Sequence, residues 1–415
     1  MAIKGEIIFP GDKSISHRAL MFAALAKGES RISNLSTGVD VQSTRKCLEA
    51  CGIKISNDGN DVVVKGGKFS DPTEPLDCGN SGTTTRLLLG LLSGQGINAT
   101  FVGDNSLSAR PMNRILDPLS QMGLESESKD GKLPVTIHKS DLTGIQYESP
   151  TASAQVKSAV FLAGLGASGN TSVKEPILSR NHTEIMLSEL GANILTNRLS
   201  TTISKLTFSL SPFRLDVPGD PSTSAFFGAA AALIPHSEII LNRVLENPTR
   251  TGFFALLEKM GTGIECLNQW EETGELIGNL KIFHKSLQGI NIDENDVPVL
   301  IDEIPIIAIL ATQSRGITEV RGAEELRIKE CDRIHAICKN LKKMGADIHE
   351  LDDGFIINGP TPLYGSKIET FHDHRIAMAF SIAGLVADGK MILDHPECVS
   401  ISYPEFYDEL ERIKQ

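Results

Sequence analysis

The feature that most restricts how this chain can fold is internal repetition. Six segments follow one plan: a short polar motif, an Ala/Gly/Leu-rich run, a small-residue stop and a β-branched stretch. They begin near Gly11, Gly79, Ala152, Gly219, Asp302 and Asp373. Their spacing of roughly 70 residues is longer than a solenoid unit, and the repeats are too few for a propeller. One pair is nearly literal, with PGDKSIS at 10–16 recurring as PGDPSTS at 218–224. A duplicated half accounts for both observations.

Most repeats carry a second amphipathic run closed by glycine, as in LDPLSQMGLES, IMLSELGANIL, LLEKMGTGIEC and CKNLKKMGADIHE. Apolar residues three or four apart mark one helix face, and the glycine supplies a left-handed C-cap. Hairpins with Asp-Gly turns often follow, as in ISNDGNDVVVKG and IHELDDGFIINGP. Three such units per half predict two similar α/β domains with a cleft between them and seams near the two PGD stretches.

Length and composition set the remaining bounds. At 415 residues the chain is long enough for two or three domains. A formal charge of −12 argues against a nucleic-acid partner, because phosphate backbones recruit basic surfaces. It leaves room for a small anion in a locally positive site. No apolar run approaches the roughly 18 residues of a membrane helix, and MAIKGEIIFPGDKS lacks a secretion-signal pattern. Seven scattered cysteines without a CxxC point to reduced thiols and a cytoplasmic setting rather than a disulfide framework or zinc ribbon.

The polar motifs precede apolar runs, which places them at helix N-termini, where unsatisfied N–H groups and the helix dipole favour anions. Plain N-capping explains one Ser, Thr or Asp per helix. It does not explain the accompanying cations Lys13, Arg18, Arg86, Lys157 and Arg375. In GDKSISHR (11–18), Lys13, Ser14 and Arg18 fall within a turn and a half, which suits a phosphate or carboxylate. The GxxxxGK[ST] spacing of a P-loop is absent. GDNSLSARPM (103–112) puts Arg110 before a proline at the mouth of a helix. LRIKECDRIHAI (326–337), read as one helix, sets Lys329 and Arg333 four apart with Glu330 beside them. In LIDEIP, Asp302 interrupts an apolar stretch, a costly placement unless the carboxylate caps, pairs or catalyses. FHDHRIAM offers a strand-like His372-x-His374, but a metal needs further ligands and none is suitably spaced. Arg375 is the better functional candidate there.

In this order, GDKSISHR, NSGTTTR, GDNSLSARPM, SAQVKSA, SRNHTE, LIDEIP, LRIKECDR and DHRIAM resemble the 5-enolpyruvylshikimate-3-phosphate synthase family of enolpyruvyl transferases, from Gly11 to Pro404. The resemblance implies an inverse α/β barrel fold: two domains, 12–218 and 1–11 plus 219–415, each of three βαβαββ repeats, hinged over a central cleft. It implies transfer of the enolpyruvyl group of phosphoenolpyruvate to the 5-hydroxyl of shikimate 3-phosphate, with no metal or organic cofactor. Small anionic substrates are then the expected partners, and a monomer the expected state.

By motif match, Lys13, Gly82, Arg110, Gln155, Arg333 and Arg375 would hold phosphoenolpyruvate. Lys13, Ser14, Arg18, Ser153, Ala154, Gln155, Ser179, Asp302 and Lys329 would hold shikimate 3-phosphate. Asp302, Glu330 and Lys13 would be catalytic. Three positions depart from the family pattern. Ile401 stands where many members carry Lys, removing one expected cation; Leu87 replaces Pro, and Ala154 replaces Ser, leaving only its backbone to bind. The alternatives are a UDP-N-acetylglucosamine enolpyruvyl transferase and a catalytically silent anion-binding protein. The first expects a Cys in the loop before Arg110-Pro111, and residues 101–114 contain none. The second expects a lost acid–base group, whereas Asp302 and Glu330 are both present.

Overall fold

The computed structural model describes all 415 residues. The chain divides into two compact units, Gly11–Val217 and Met1–Pro10 with Pro218–Gln415, so each seam falls one residue ahead of the expected position. No helix is long and apolar enough to cross a membrane.

Within Gly11–Val217 the three repeats build three four-stranded sheets of identical pattern. In the second, Leu76–Asp77 lies parallel to Ala99–Val102, which pairs antiparallel with Lys132–His138, which in turn pairs with Glu125–Lys129. The third repeats this with Gln146–Glu148, Asn170–Lys174, Ser200–Ser204 and Ile194–Asn197. The first borrows its parallel strand, Arg214–Asp216, from the end of the unit, where it joins Gly28–Ser33. The other unit closes the same way: Lys4–Ile8, from the chain's start, lies parallel to Glu238–Leu245. That pairing is why the first ten residues belong with the C-terminal half.

The sixth repeat departs from the expected plan. Its sheet has two strands, Lys367–Ile368 and Ile392–Leu393, with no hairpin. The chain instead ends in a 3-10 turn, Pro396–Ile401, and the helix Phe406–Arg412.

One helix of each repeat is almost wholly buried. Every residue of Pro221–Leu233 is buried, as is all of Lys13–Leu25 from Ile15 onward. The sheets alternate buried and half-exposed positions, Lys132–His138 most clearly, so they cover these helices with one face outward. Ile304–Gln313 and His374–Ala383 complete the second unit's core with Pro221–Leu233. The glycines read as C-caps, Gly123, Gly191, Gly261 and Gly345, all have φ between 86° and 104°.

Helix–helix approach in the first unit depends on Gly90. A Cβ there would lie 2.1 Å from the carbonyl oxygen of Ala159, in the helix Ala154–Gly164. Because the obstruction is backbone, it cannot swing aside. We expect Gly90→Ala to destabilise the protein by about 1–3 kcal/mol, read as a lower urea midpoint at unchanged m-value.

Candidate active site

Three helix N-termini meet at one end of the unit Gly11–Val217. Asp12, Ser81 and Ser153 cap them, accepting from Ile15 N at 2.8 Å, Thr84 N at 3.2 Å and Val156 N at 3.4 Å. Gln155 bridges two of them: its amide donates to Thr83 Oγ1 at 3.0 Å and accepts from Arg86 Nη1 at 2.6 Å. Asp40 links the other pair, meeting Lys13 Nζ at 3.2 Å through its carboxylate and Thr84 Oγ1 at 3.2 Å through its carbonyl.

Gly82 opens one of these helices between two guanidiniums. A Cβ at Gly82 would lie 3.4 Å from Arg86 Nη1 and 3.5 Å from Arg110 Nη1. Arg110 is aimed by Asn80 Oδ1 at 2.8 Å and Ser106 Oγ at 3.2 Å, and Asn80 is itself held by Asp104 at 2.6 Å. Backbone N–H groups, a helix dipole and two planar cations thus converge on a residue without a side chain, which is a seat for an anion.

Arg18 is buried and donates to Ser14 O at 2.9 Å, Thr183 Oγ1 at 2.7 Å and Ser158 Oγ at 2.7 Å. Ser14 also receives Arg180 Nη1 at 3.4 Å. Ser179 donates to Glu175 Oε1. The same carboxylate explains Lys157, which the sequence grouped with the anion-facing cations. Its ammonium is buried between Glu175 and Glu184, each at 2.7 Å. Two carboxylates already neutralise it, so Lys157 is a core ion pair. Ala154 is the first residue of its helix, so what it presents at this end is backbone N–H.

The second cluster belongs to the other unit and centres on Arg333, only 1 % exposed. Its Nε donates to Asp373 Oδ2 at 2.8 Å and Nη2 to Asp373 Oδ1 at 3.4 Å. The outer nitrogens reach Glu330 Oε2 at 2.6 Å and Asp302 Oδ1 at 3.5 Å. Burial alone would lower the Arg333 pKa, but Asp373, Glu330 and Asp302 outweigh it and hold the guanidinium charged. Arg375 stands beside the same acid: Nη1 donates to the Asp302 carbonyl at 3.0 Å and Nε lies 3.4 Å from Oδ1. Lys329 is drawn below the usual lysine value by burial, opposed by Asp302, Glu325 and Glu330.

Lys329 and Glu330 do not lie on a helix with Arg333, contrary to the expected single helix. A 3-10 turn, Glu324–Ile328, ends before Lys329, and a new helix, Arg333–Lys343, begins after Asp332. Asp332 accepts from His335 N at 2.9 Å and stops helix propagation backwards. Freed from a helix, Glu330 folds back onto Arg333. The expected strand around His372 is also absent: Phe371 and His372 take φ of 54° and 56° in a turn. His372 stacks on His395 with centroids 4.0 Å apart, and His374 is buried at a helix start. No group of three or more His, Cys, Asp or Glu side chains is placed to hold a metal ion.

Asp373 was passed over in the sequence, where it reads as an ordinary cap. It does cap, accepting from Arg375 N at 2.8 Å, while also gripping Arg333. Asn80, Asp40 and Arg180 were likewise not assigned to the site, and Arg86 was noted only as a cation at a helix start.

A model of the EPSP synthase (3-phosphoshikimate 1-carboxyvinyltransferase) family matches residues 1–410. The chain belongs to this family. The 3-phosphoshikimate 1-carboxyvinyltransferase of Thermodesulfovibrio yellowstonii is 46% identical over 422 residues, covering 100% of this chain and 98% of its own. That of Persephonella marina is 47% identical over 420 residues, with 99% and 97% covered. Among solved structures, an EPSP synthase from Acinetobacter baumannii superposes with a TM-score of 0.88 at 40% identity, covering 99% of this chain and 96% of that one. The enolpyruvyl transferase NikO of Streptomyces tendae, at 19% identity and a TM-score of 0.77 over 99% and 95% of the two chains, shares the fold. The EPSP synthase fold is therefore the mixed α/β arrangement described above.

Removing the charge that anchors Arg333 should be costly. We expect Asp373→Asn to lower stability by about 3 kcal/mol, because a buried guanidinium loses its nearest counter-charge; urea denaturation followed by circular dichroism measures it.

Proposed function

We propose that the residues assembled above perform the reaction of the family, transfer of the enolpyruvyl group from phosphoenolpyruvate to the 5-hydroxyl of shikimate 3-phosphate, a step of the shikimate pathway. The observation that carries this reading is one buried arginine pinned from behind by Asp373 while its outer nitrogens touch Asp302 and Glu330. A cation in that position stabilises an incoming anion and keeps two carboxylates within reach of it.

The substrate contacts are those the family motifs imply, and the proton transfers are assigned to keep charge and protons in balance. Lys13, Arg110, Arg333, Arg375, Gln155 and the backbone at Gly82 hold phosphoenolpyruvate. Lys13, Ser14, Arg18, Ser153, Gln155, Ser179, Asp302, Lys329 and the Ala154 backbone hold shikimate 3-phosphate. The donor's phosphate and carboxylate displace Asp302 and Glu330 from the arginines, which leaves both acids available for proton transfer. Asp302 accepts the proton of the 5-hydroxyl as its oxygen bonds to C2 of the donor, while Glu330, which takes up a proton from solvent once it leaves Arg333, delivers it to the methylene carbon. In the second stage the C2–O bond to phosphate breaks, Glu330 recovers a proton from the methyl group, the departing phosphate takes the proton held by Asp302, and Lys13 balances its charge. General acid–base transfer contributes about 10²–10⁴-fold, with the remainder from positioning and preorganised charge.

We further propose that the chain acts as a monomer in the cytoplasm. All seven cysteines are free thiols, which suits a reducing compartment. Ile401, where many members carry Lys, packs against the core of its unit, and the proposed site works without a cation there.

Mixing the chain with shikimate 3-phosphate and phosphoenolpyruvate should release inorganic phosphate steadily, while UDP-N-acetylglucosamine in place of the shikimate should release none. Phosphate release only with the sugar nucleotide would reverse the assignment. Asp302→Asn should lower kcat by about 10²–10⁴-fold with KM for phosphoenolpyruvate nearly unchanged, checked by steady-state kinetics.

A further inference from the structure

His17 is fully buried, and the roles above do not use it. It begins a run of short side-chain contacts across three helices. His17 Nδ1 meets Thr44 Oγ1 at 2.7 Å, and Thr44 Oγ1 meets Thr84 Oγ1 at 2.7 Å. Thr84 Oγ1 then lies 3.2 Å from the Asp40 carbonyl and 2.8 Å from Ser81 Oγ, the cap of the Gly82 helix. His17 Nε2 has no hydrogen-bond partner.

Counting protons fixes the direction of this run. The Asp40 carbonyl can only accept, so the Thr84 hydroxyl donates to it. Thr84 also donates to Ser81 Oγ, so its one proton is shared between these two acceptors and its oxygen accepts from Thr44; Thr44, its proton spent, accepts from His17 Nδ1. Every contact is satisfied, and Nε2 carries a bare lone pair. The opposite tautomer makes Thr44 donate to Nδ1 and Thr84 donate to Thr44. It leaves the Asp40 contact without a proton and buries an N–H on Nε2 with no acceptor, at about 1–3 kcal/mol. Burial, with Lys13 and Arg18 nearby, keeps the ring's pKa well below the ordinary imidazole value, so the doubly protonated form is excluded near neutrality.

We propose that His17, as its neutral Nδ1–H tautomer, is a positioning residue for the anion seat, holding the Lys13 and Gly82 helix starts in register through Thr44, Thr84 and Ser81. Lys13 lies one helical turn before His17, and its ammonium meets the same Asp40 whose carbonyl ends the chain. The inference rests on the reading that Lys13 and Gly82 seat phosphoenolpyruvate. Breaking the chain strands a buried hydroxyl between the two helices and lets their ends shift.

Two measurements test it. In the ¹⁵N-labelled enzyme, the His17 ring should show a proton on Nδ1 and a lone pair on Nε2; a proton on Nε2 overturns the assignment without any variant. In kinetics, His17→Leu should raise KM for phosphoenolpyruvate about tenfold. His17→Asn, whose amide N–H can take the place of Nδ1–H, should restore most of the loss, which a merely space-filling role would not produce. Should His17→Leu not fold, the near-isosteric Thr44→Val cuts the chain one link further on and gives the same readout. A folded variant with the parent KM overturns the proposal. Lys13→Met separates the two levels: an unchanged KM for phosphoenolpyruvate there sinks the seat itself, whereas a raised KM beside a silent His17→Leu sinks only His17's part.

Discussion

Helices buried along nearly their whole length cannot hand their first-turn N–H groups to water, and that constraint organises both units. Asp12, Ser81, Ser153, Asp220 and Asp373 each satisfy one or two such groups. Ile304–Gln313 has no side-chain cap and carries Pro305 in its first turn, which removes a donor altogether. What the caps leave over is a set of N–H groups and dipole ends at one end of the Gly11–Val217 unit, and anions are what such an end attracts.

Buried cations are held in two ways. In Gly11–Val217, Arg18 touches hydroxyls and a carbonyl, and Arg110 an amide and a hydroxyl, partners that fix geometry. In the other unit Arg333 is surrounded by carboxylates, one fully buried and two more accessible. A buried pair of this kind contributes little net stability but is expensive to break, so it serves orientation. Asp373 is the fixed partner; Asp302 and Glu330 are the ones an anion can replace.

Much of the fold was legible in the sequence because repetition and periodicity are local signals. The near-literal PGD motifs lie where the chain passes from one compact unit to the other. The Gly-terminated runs marked second helices, and the Asp-Gly pairs marked hairpins such as Lys54–Asp58 with Asp61–Gly66. The misreadings came where a local pattern had two continuations. LRIKECDRIHAI has helical spacing throughout, and only the cap at Asp332 tells that it breaks. Lys157 looks like its neighbours in charge, and only its two glutamates, eighteen and twenty-seven residues away, show that it faces inward.

The sequence by itself determined the family, the repeat count, the motif residues and the chemistry they can offer, since residue type and order carry all of these. Tertiary structure alone decided which charges compensate one another. Asp373 grips Arg333 from forty residues away, His17 reaches Thr84 through a third helix, and Gln155 braces Arg86 across sixty-nine positions. Coulomb energies weaken with separation in space and hydrogen bonds vanish within a few ångströms, and no spacing along a chain encodes that distance.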